Sequence, residues 1–426
     1  MSKPQFFKKF FHAYYNKIKH HLLQFFKWSF ISIVTGIIVG SFSTLFAFIM
    51  NIMTDYREQH DLIIFFLPLG GIITIFLYSA FGFRNDKGTN MVLSMIHAKN
   101  ELPLRMAPLI FITTIITHIF GGSAGREGAA LQLGGSIGNQ IGRTLRLNDA
   151  DKRIIVLCGM SAAFSALFGT PMAAAIFSLE VGSVGVMYYA ALVPCVFSSI
   201  IATYFAKFAG IREIDLAVVD FPELSILNSL ETVGLATVCA VVSILFIILM
   251  HTTGDLFRKY LRNPYIRIIT AAAAIVILTL VSGTRDYNGA GMNVIARAVK
   301  GDAVPYAFLM KILFTVITIE AGFRGGEIVP SFFIGATLGC TFGYIIGFSP
   351  SVCAAVGLIS VFCGVTNCPI TSMLLSFELF GAGGIPFFLI AVAVSYFMSG
   401  YYGLYKDQRI VYSKYKAKFL NRKAKQ

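Results

Sequence analysis

The chain has 426 residues, 56% apolar and only 13% charged, with a formal net charge of +14 and a mean hydropathy of +0.73. A soluble domain carries about twice that charged fraction, so a water-soluble globular protein is excluded and a polytopic membrane protein is predicted. Neither period-2 alternation nor regularly spaced hairpin turns recur, so an all-α chain is expected and strands are not.

Residues 1–54 hold six lysines and no Asp or Glu. Within residues 1–27, the stretch Phe6–Phe26 alternates aromatics with Lys8, Lys9, Lys17 and Lys19, which predicts an interfacial amphipathic helix rather than a cleaved signal. Apolar stretches follow at 29–53 and 61–83, and then the polar run Arg84-Asn85-Asp86-Lys87-Gly88-Thr89-Asn90. The hydroxyl of Thr89, the amide of Asn90 and free backbone N–H groups at a half-helix start would make an anion contact. His118, in the apolar run 107–121, reads as a packed polar core residue.

The next segment is Gly122-Ser-Ala-Gly125-Arg126-Glu127-Gly128, followed by a ladder at Gly134, Gly138 and Gly142. Glycines on both sides of Glu127 permit backbone conformations closed to other residues, and the small residues after it start a helix. A helix start offers unpaired N–H groups and the positive end of the dipole. Gly125, Arg126 and Gly128 would therefore hold an anion, with Glu127 as a tethered substitute that leaves when protonated. A salt bridge between Arg126 and Glu127 is the alternative, although adjacent helical side chains do not face each other. The half closes with 154–169 (containing Cys158-Gly159), Pro171-MAAAIFSL-Glu180 and 186–209.

Residues 210–230 are more polar, with acids at Glu213, Asp215, Asp220 and Glu223, and read as an extracellular linker. Apolar stretches resume at 232–250, 268–282, 304–321, 328–348, 351–365 and 385–402. Gly325-Gly326-Glu327-Ile328-Val329-Pro330 precedes a second ladder at Gly335, Gly339, Gly343 and Gly347. Cys363-Gly364 and Pro369-ITSMLLSF-Glu378 then repeat the pattern of the first half. Glu327 is either a capping group or a proton-bearing acid, since only a protonated carboxyl donates a hydrogen bond to an anion. Glu180 and Glu378 end short helices and could be interfacial. Tyr405 reads by itself as an aromatic-belt residue.

Residues 406–426 carry eight Lys or Arg against Asp407 alone, so both ends are expected on the cytoplasmic side. No nucleic-acid recognition motif accompanies these basic tails. Domain boundaries are therefore 1–27, a first membrane repeat 28–209, a linker 210–230, a second repeat 231–405, and a basic tail 406–426. Several apolar stretches are shorter than the ~20 residues of a straight span, which predicts half-helices whose backbone faces a cavity. The seven cysteines all lie in apolar stretches and are expected as core residues without a disulfide. No metal spacing, cofactor motif or nucleophile–base pattern is found, so an enzyme is not expected.

These residues resemble the CLC family of anion channels and proton-coupled antiporters. The resemblance runs from Gly88 to Tyr405 and is carried by Gly-Arg-Glu127-Gly, the polar start at Thr89, Gly-Gly-x-x-x-Pro330, the two Pro-x8-Glu helices and Gly-Leu-Tyr405. It implies an inverted repeat of broken and tilted helices and a homodimer with one pore per subunit, and a bacterial plasma membrane is the expected location. It also makes Glu127 the gating glutamate, puts Thr89 where the family has its central serine, and puts Tyr405 on the central tyrosine.

Glu327 stands where most members are apolar, and Val181 stands where proton-coupled chloride exchangers carry a second, inner glutamate after Glu180. Both features are similar to the fluoride/proton branch, as are Leu102–Pro108 and Gly121–Glu127, although that branch usually has a hydroxyl where Val329 stands. The implied function is fluoride export in exchange for protons, with fluoride bound near Thr89, Asn90, Ile328, Val329 and Tyr405. A chloride/proton exchanger or chloride channel on the same scaffold is the alternative.

Overall fold

A computed structural model describes residues 3–83, 88–97, 102–211, 216, 218 and 221–424, with side chains from residue 14 onward. Arg84 to Lys87 and the linker acids Glu213, Asp215 and Asp220 lie outside the described residues. The described residues form sixteen α-helices. In chain order these are α1 (Lys3–Gln59), α2 (Leu67–Ala80), α3 (Thr89–His97), α4 (Met106–Ile119), α5 (Glu127–Thr144) and α6 (Asp149–Phe168). Next come α7 (Pro171–Glu180), α8 (Leu192–Phe208), α9 (Ile226–Tyr260), α10 (Pro264–Ser282) and α11 (Met292–Val299). The chain finishes with α12 (Ala307–Ala321), α13 (Ile328–Ile346), α14 (Pro350–Thr366), α15 (Pro369–Phe380) and α16 (Ile385–Met398). Six helical stretches are long and apolar enough to cross a membrane, and five shorter apolar helices accompany them.

The segment Phe6–Phe26, predicted as a separate interfacial helix, is instead continuous with the first span in α1. No Gly or Pro falls between Gln5 and Thr35, so nothing interrupts the 57-residue helix. At 1.5 Å per residue it is about 85 Å long, far beyond the ~30 Å hydrocarbon layer.

The two halves use the same local devices. Pro171 and Pro369 open α7 and α15, where a missing N–H costs nothing. Left-handed residues end the helices before them, Gly169 at φ 71° and Asn367 at φ 59°. The ladders pack α5 on α6 and α13 on α14. A Cβ on Gly134 would run into the Gly159 carbonyl and lie 2.7 Å from the Ala163 Cβ. On Gly335 it would meet the Gly357 carbonyl and come within 2.7 Å of the Leu358 Cα. Only glycine lets these backbones approach so closely.

Glu180 and Glu378 are not interfacial ends. The Glu180 carboxylate accepts from Ile370 N (3.1 Å), Thr371 N (2.8 Å) and the Thr371 hydroxyl (2.6 Å) at the start of α15. The Glu378 carboxylate accepts from Met172 N and Ala173 N, both at 2.8 Å, at the start of α7. So α7 and α15 run antiparallel, each capping the other with its terminal acid, and each carboxylate sits on the positive end of a helix dipole.

The expectation of no strands needs correction. Three short strands, β1 (Ser183–Val184), β2 (Arg409–Tyr412) and β3 (Phe419–Lys423), form one sheet in that order. β1 pairs parallel to β2, and β2 antiparallel to β3. Strands of two to five residues are too short for alternation to register. The basic tail therefore docks on the membrane body. Gln408 anchors it, donating to the carbonyls of Val181 (2.9 Å) and Thr366 (2.7 Å). Lys27 of α1 pairs with Asp151 at the start of α6 (3.3 Å), and Arg153 of α6 shares a pocket with Ser183 and Arg409. Both basic ends thus lie at one end of the molecule.

Candidate functional site

The two glycine-framed loops meet at the centre. Gly125 and Gly326 exchange backbone hydrogen bonds, each 2.7 Å long, as an isolated antiparallel bridge. That bridge points the starts of α5 and α13 at each other and concentrates the positive ends of two helix dipoles at one place. Close approach leaves no room for a side chain at the loop glycines. A Cβ on Gly326 would lie 2.5 Å from Gly128 N, and one on Gly128 would lie 2.7 Å from the Thr89 hydroxyl oxygen.

Glu127, the first residue of α5, is fully buried. Its Oε2 accepts from Val329 N across the bridge at 3.4 Å, and its Oε1 has no partner among the described residues. The carboxylate therefore occupies the mouth of α13, as a bound anion would. A 3.4 Å bond is longer than the usual 2.7–3.2 Å range, so the seat is a loose one. No ion pair joins Glu127 to Arg126 among the described residues. The Arg126 guanidinium instead donates to Asn51 Oδ1 on α1 (3.0 Å), leaving only its backbone at the helix start.

The loop that carries Glu127 is pinned from several sides. Ser123 N donates to Thr318 Oγ1 (3.1 Å), and Ser123 Oγ shares a hydrogen bond with Thr315 (3.0 Å). Asn288 Nδ2 donates to the Gly121 carbonyl (2.8 Å), and His118 Nε2 lies 3.3 Å from the Gly125 carbonyl. His118 is buried and holds the loop, as its reading as a packed core residue expected. With the backbone fixed, the Glu127 side chain is the part of the site left to move.

Glu327 precedes α13 as its capping residue. It makes no side-chain cap hydrogen bond, and its Oε2 is buried without a partner among the described residues. The capping alternative is therefore not what the side chain does. Ile328 and Val329 are buried and offer the first N–H groups of α13. Thr89 starts α3 and is buried against Gly128. Asn90 is turned to the tail, its Oδ1 accepting from Asp407 N (3.2 Å). Tyr405 is 1% exposed and its hydroxyl has no partner among the described residues, so it is a core residue and not an aromatic-belt one. It lies within electrostatic reach of both Glu127 and Glu327.

One side chain was not anticipated. Gln132, one turn into α5, is buried, donates to the Gly128 carbonyl (3.3 Å) and leaves its Oε1 without a partner among the described residues. It joins Glu127, Glu327 and Tyr405 in a group of buried polar atoms lacking protein partners, which a small hydrated ion or a proton can satisfy. Nothing local marked it, because the same helix also carries the amides of Asn139 and Gln140.

A cavity of about 1320 Å³ reaches this group from the end where both termini lie. Thr89, Gln132 and Glu327 are in its inner wall, and six Lys or Arg against three carboxylates line it in all. An excess of positive charge around a recess raises the local concentration of anions. Glu127 and Tyr405 are not in that wall.

Comparison with known proteins adds the following. The family model described as voltage gated chloride channel matches residues 70–400. A "Chloride/fluoride channel protein" of Pseudomonas syringae pv. tomato is 33% identical over 396 residues, 91% of this chain and 88% of the relative. The H(+)/Cl(-) exchange transporter ClcA of Vibrio cholerae is 26% identical over 388 residues, 82% of this chain and 81% of the relative. The crystal structure of a CLC-type fluoride/proton antiporter superposes with a TM-score of 0.87 at 33% identity, over 90% of this chain and 97% of that one.

Proposed function

The chain belongs to the voltage gated chloride channel family, and we propose that it is an antiporter that exports fluoride in exchange for protons. The observation that carries this reading is the Glu127 carboxylate seated on Val329 N at the junction of two helix starts, with a second acid, Glu327, beside it. The solved fluoride/proton antiporter and the chloride/fluoride relative support fluoride as the ion.

In this scheme both basic ends are cytoplasmic, following the excess of Lys and Arg there, and the large cavity is the inner vestibule. The protein is a multi-pass plasma-membrane protein with repeats at 28–209 and 231–405, working as a homodimer. Fluoride enters the vestibule, passes Thr89 and Tyr405, and binds at the N–H groups of Ile328 and Val329. Glu127 takes a proton from outside, leaves that seat neutral, and returns ionised as fluoride departs. Gly125, Gly128 and the Arg126 backbone hold the frame in which it swings. Fluoride is small and strongly hydrated, so losing its water requires real hydrogen-bond donors. Protonated Glu327 supplies one where a neutral apolar residue cannot.

A chloride/proton exchanger is the second reading, favoured by Val329 in place of a hydroxyl and by the likeness to the Vibrio cholerae exchanger. Efflux of fluoride and of chloride from liposomes holding the purified protein, with pH recorded, separates them. Fluoride efflux at least tenfold faster than chloride supports the first reading, and the reverse order supports the second.

A further inference from the structure

The proton needs a way between the buried site and inner water, and the route found in similar chloride exchangers is closed here. Val181 is a buried hydrophobic residue, and the neighbouring Glu180 spends both carboxylate oxygens on the start of α15. A different acid faces the vestibule. Glu320, in the last turn of α12, lines the same cavity as Glu327 and lies within electrostatic reach of it.

Three features distinguish Glu320 from an ordinary structural carboxylate. Its side chain makes no hydrogen bond or ion pair among the described residues, although Arg258, Arg267 and Lys406 line the same cavity. Arg258 is engaged with Asp255 (2.6 Å) and Arg267 with the Ala321 carbonyl (3.0 Å). His251, also in that wall, lies 3.2 Å from the Gly403 carbonyl. Finally, the Glu320 carboxylate is packed against the Cα of Gly254 on α9, and a Cβ there would collide with Oε2. A glycine in mid-helix is destabilising by about 0.5–1 kcal/mol relative to alanine, and here it makes the niche that turns this acid into the cavity.

We infer that Glu320 is the inner proton-transfer residue of this transporter, relaying protons between Glu327 and vestibule water. In the exporting direction Glu127 hands its proton to the Glu327 carboxylate, the O–H bond formed there then breaks, and the proton passes through cavity water to the Glu320 carboxylate. Glu320 then releases it to bulk water, and each carboxylate returns to its starting charge. The inference rests on the antiport reading above.

The test uses the full-length protein in liposomes, measuring fluoride with an electrode and protons with a trapped dye. Glu320→Gln is expected to lower the protons moved per fluoride at least tenfold, and Glu320→Asp to restore at least a third of the wild-type ratio. Gly254→Ala, which displaces the carboxylate while keeping it, should lower proton turnover and alter its dependence on internal pH. Wild-type coupling in Glu320→Gln would overturn the inference and leave the antiport reading standing. A wild-type protein that moves no protons with either fluoride or chloride would overturn both.

Discussion

A side chain that stands in for an anion must be held well enough to occupy the site and loosely enough to leave it. Glu127 meets both conditions, with one 3.4 Å bond to Val329 N and a second oxygen without a partner among the described residues. Replacing Glu127 with Gln removes the charge but keeps the shape, so proton movement should fall at least tenfold while fluoride movement becomes uncoupled, as read in liposomes by a pH dye. Glu327→Val restores the apolar character common in the family and removes the hydrogen-bond donor. The ratio of fluoride to chloride flux should then fall at least tenfold, and an unchanged ratio would show that Glu327 has no part in selectivity. Both acids were legible in the sequence because glycines framed them. Gln132 was not, since nothing local separates a site amide from a structural one, and Tyr405 was marked by the family pattern alone, its local sequence reading as interfacial. Only the fold brings them to the centre.

At the scale of elements, the reciprocal caps of α7 and α15 tie the two halves together. Hydrogen bonds to a charged group contribute about 1.5–3 kcal/mol each, and a buried carboxylate matters more than a partly exposed one. Glu180 is 5% exposed and accepts three bonds, so Glu180→Ala should cost about 3 kcal/mol or more. Glu378→Ala should cost less, about 1–2 kcal/mol. Thermal melting in detergent checks the order, and a larger Tm drop for Glu378→Ala would contradict it. The paired proline-to-glutamate spacing was visible in the sequence, but its meaning was not, because each cap is made by the other half of the chain. Helix α5 escaped the survey of apolar stretches for a related reason. Its small residues suit a helix–helix contact and carry little hydropathy. The tail strands escaped because strands of two to five residues are too short for alternation to register.

For the whole molecule, charge distribution links composition to transport. The surplus of +14 gathers at the end where the vestibule opens, and six Lys or Arg line that recess. Arg262 is exposed there and has no ion pair among the described residues. Arg262→Glu should therefore slow fluoride loading from the inner side two- to threefold at about 10 mM salt, where the Debye length is about 30 Å. The difference should vanish at about 150 mM, where it is about 8 Å, and a defect equal at both salts would point to lost structure.

The central claim is that one carboxyl group couples the two ions. It is tested most directly by loading liposomes with fluoride and recording internal pH as fluoride leaves. Wild-type protein should acidify the interior against a proton gradient, and Glu127→Ala should release fluoride with no pH change. Acidification that persists in Glu127→Ala would contradict the account.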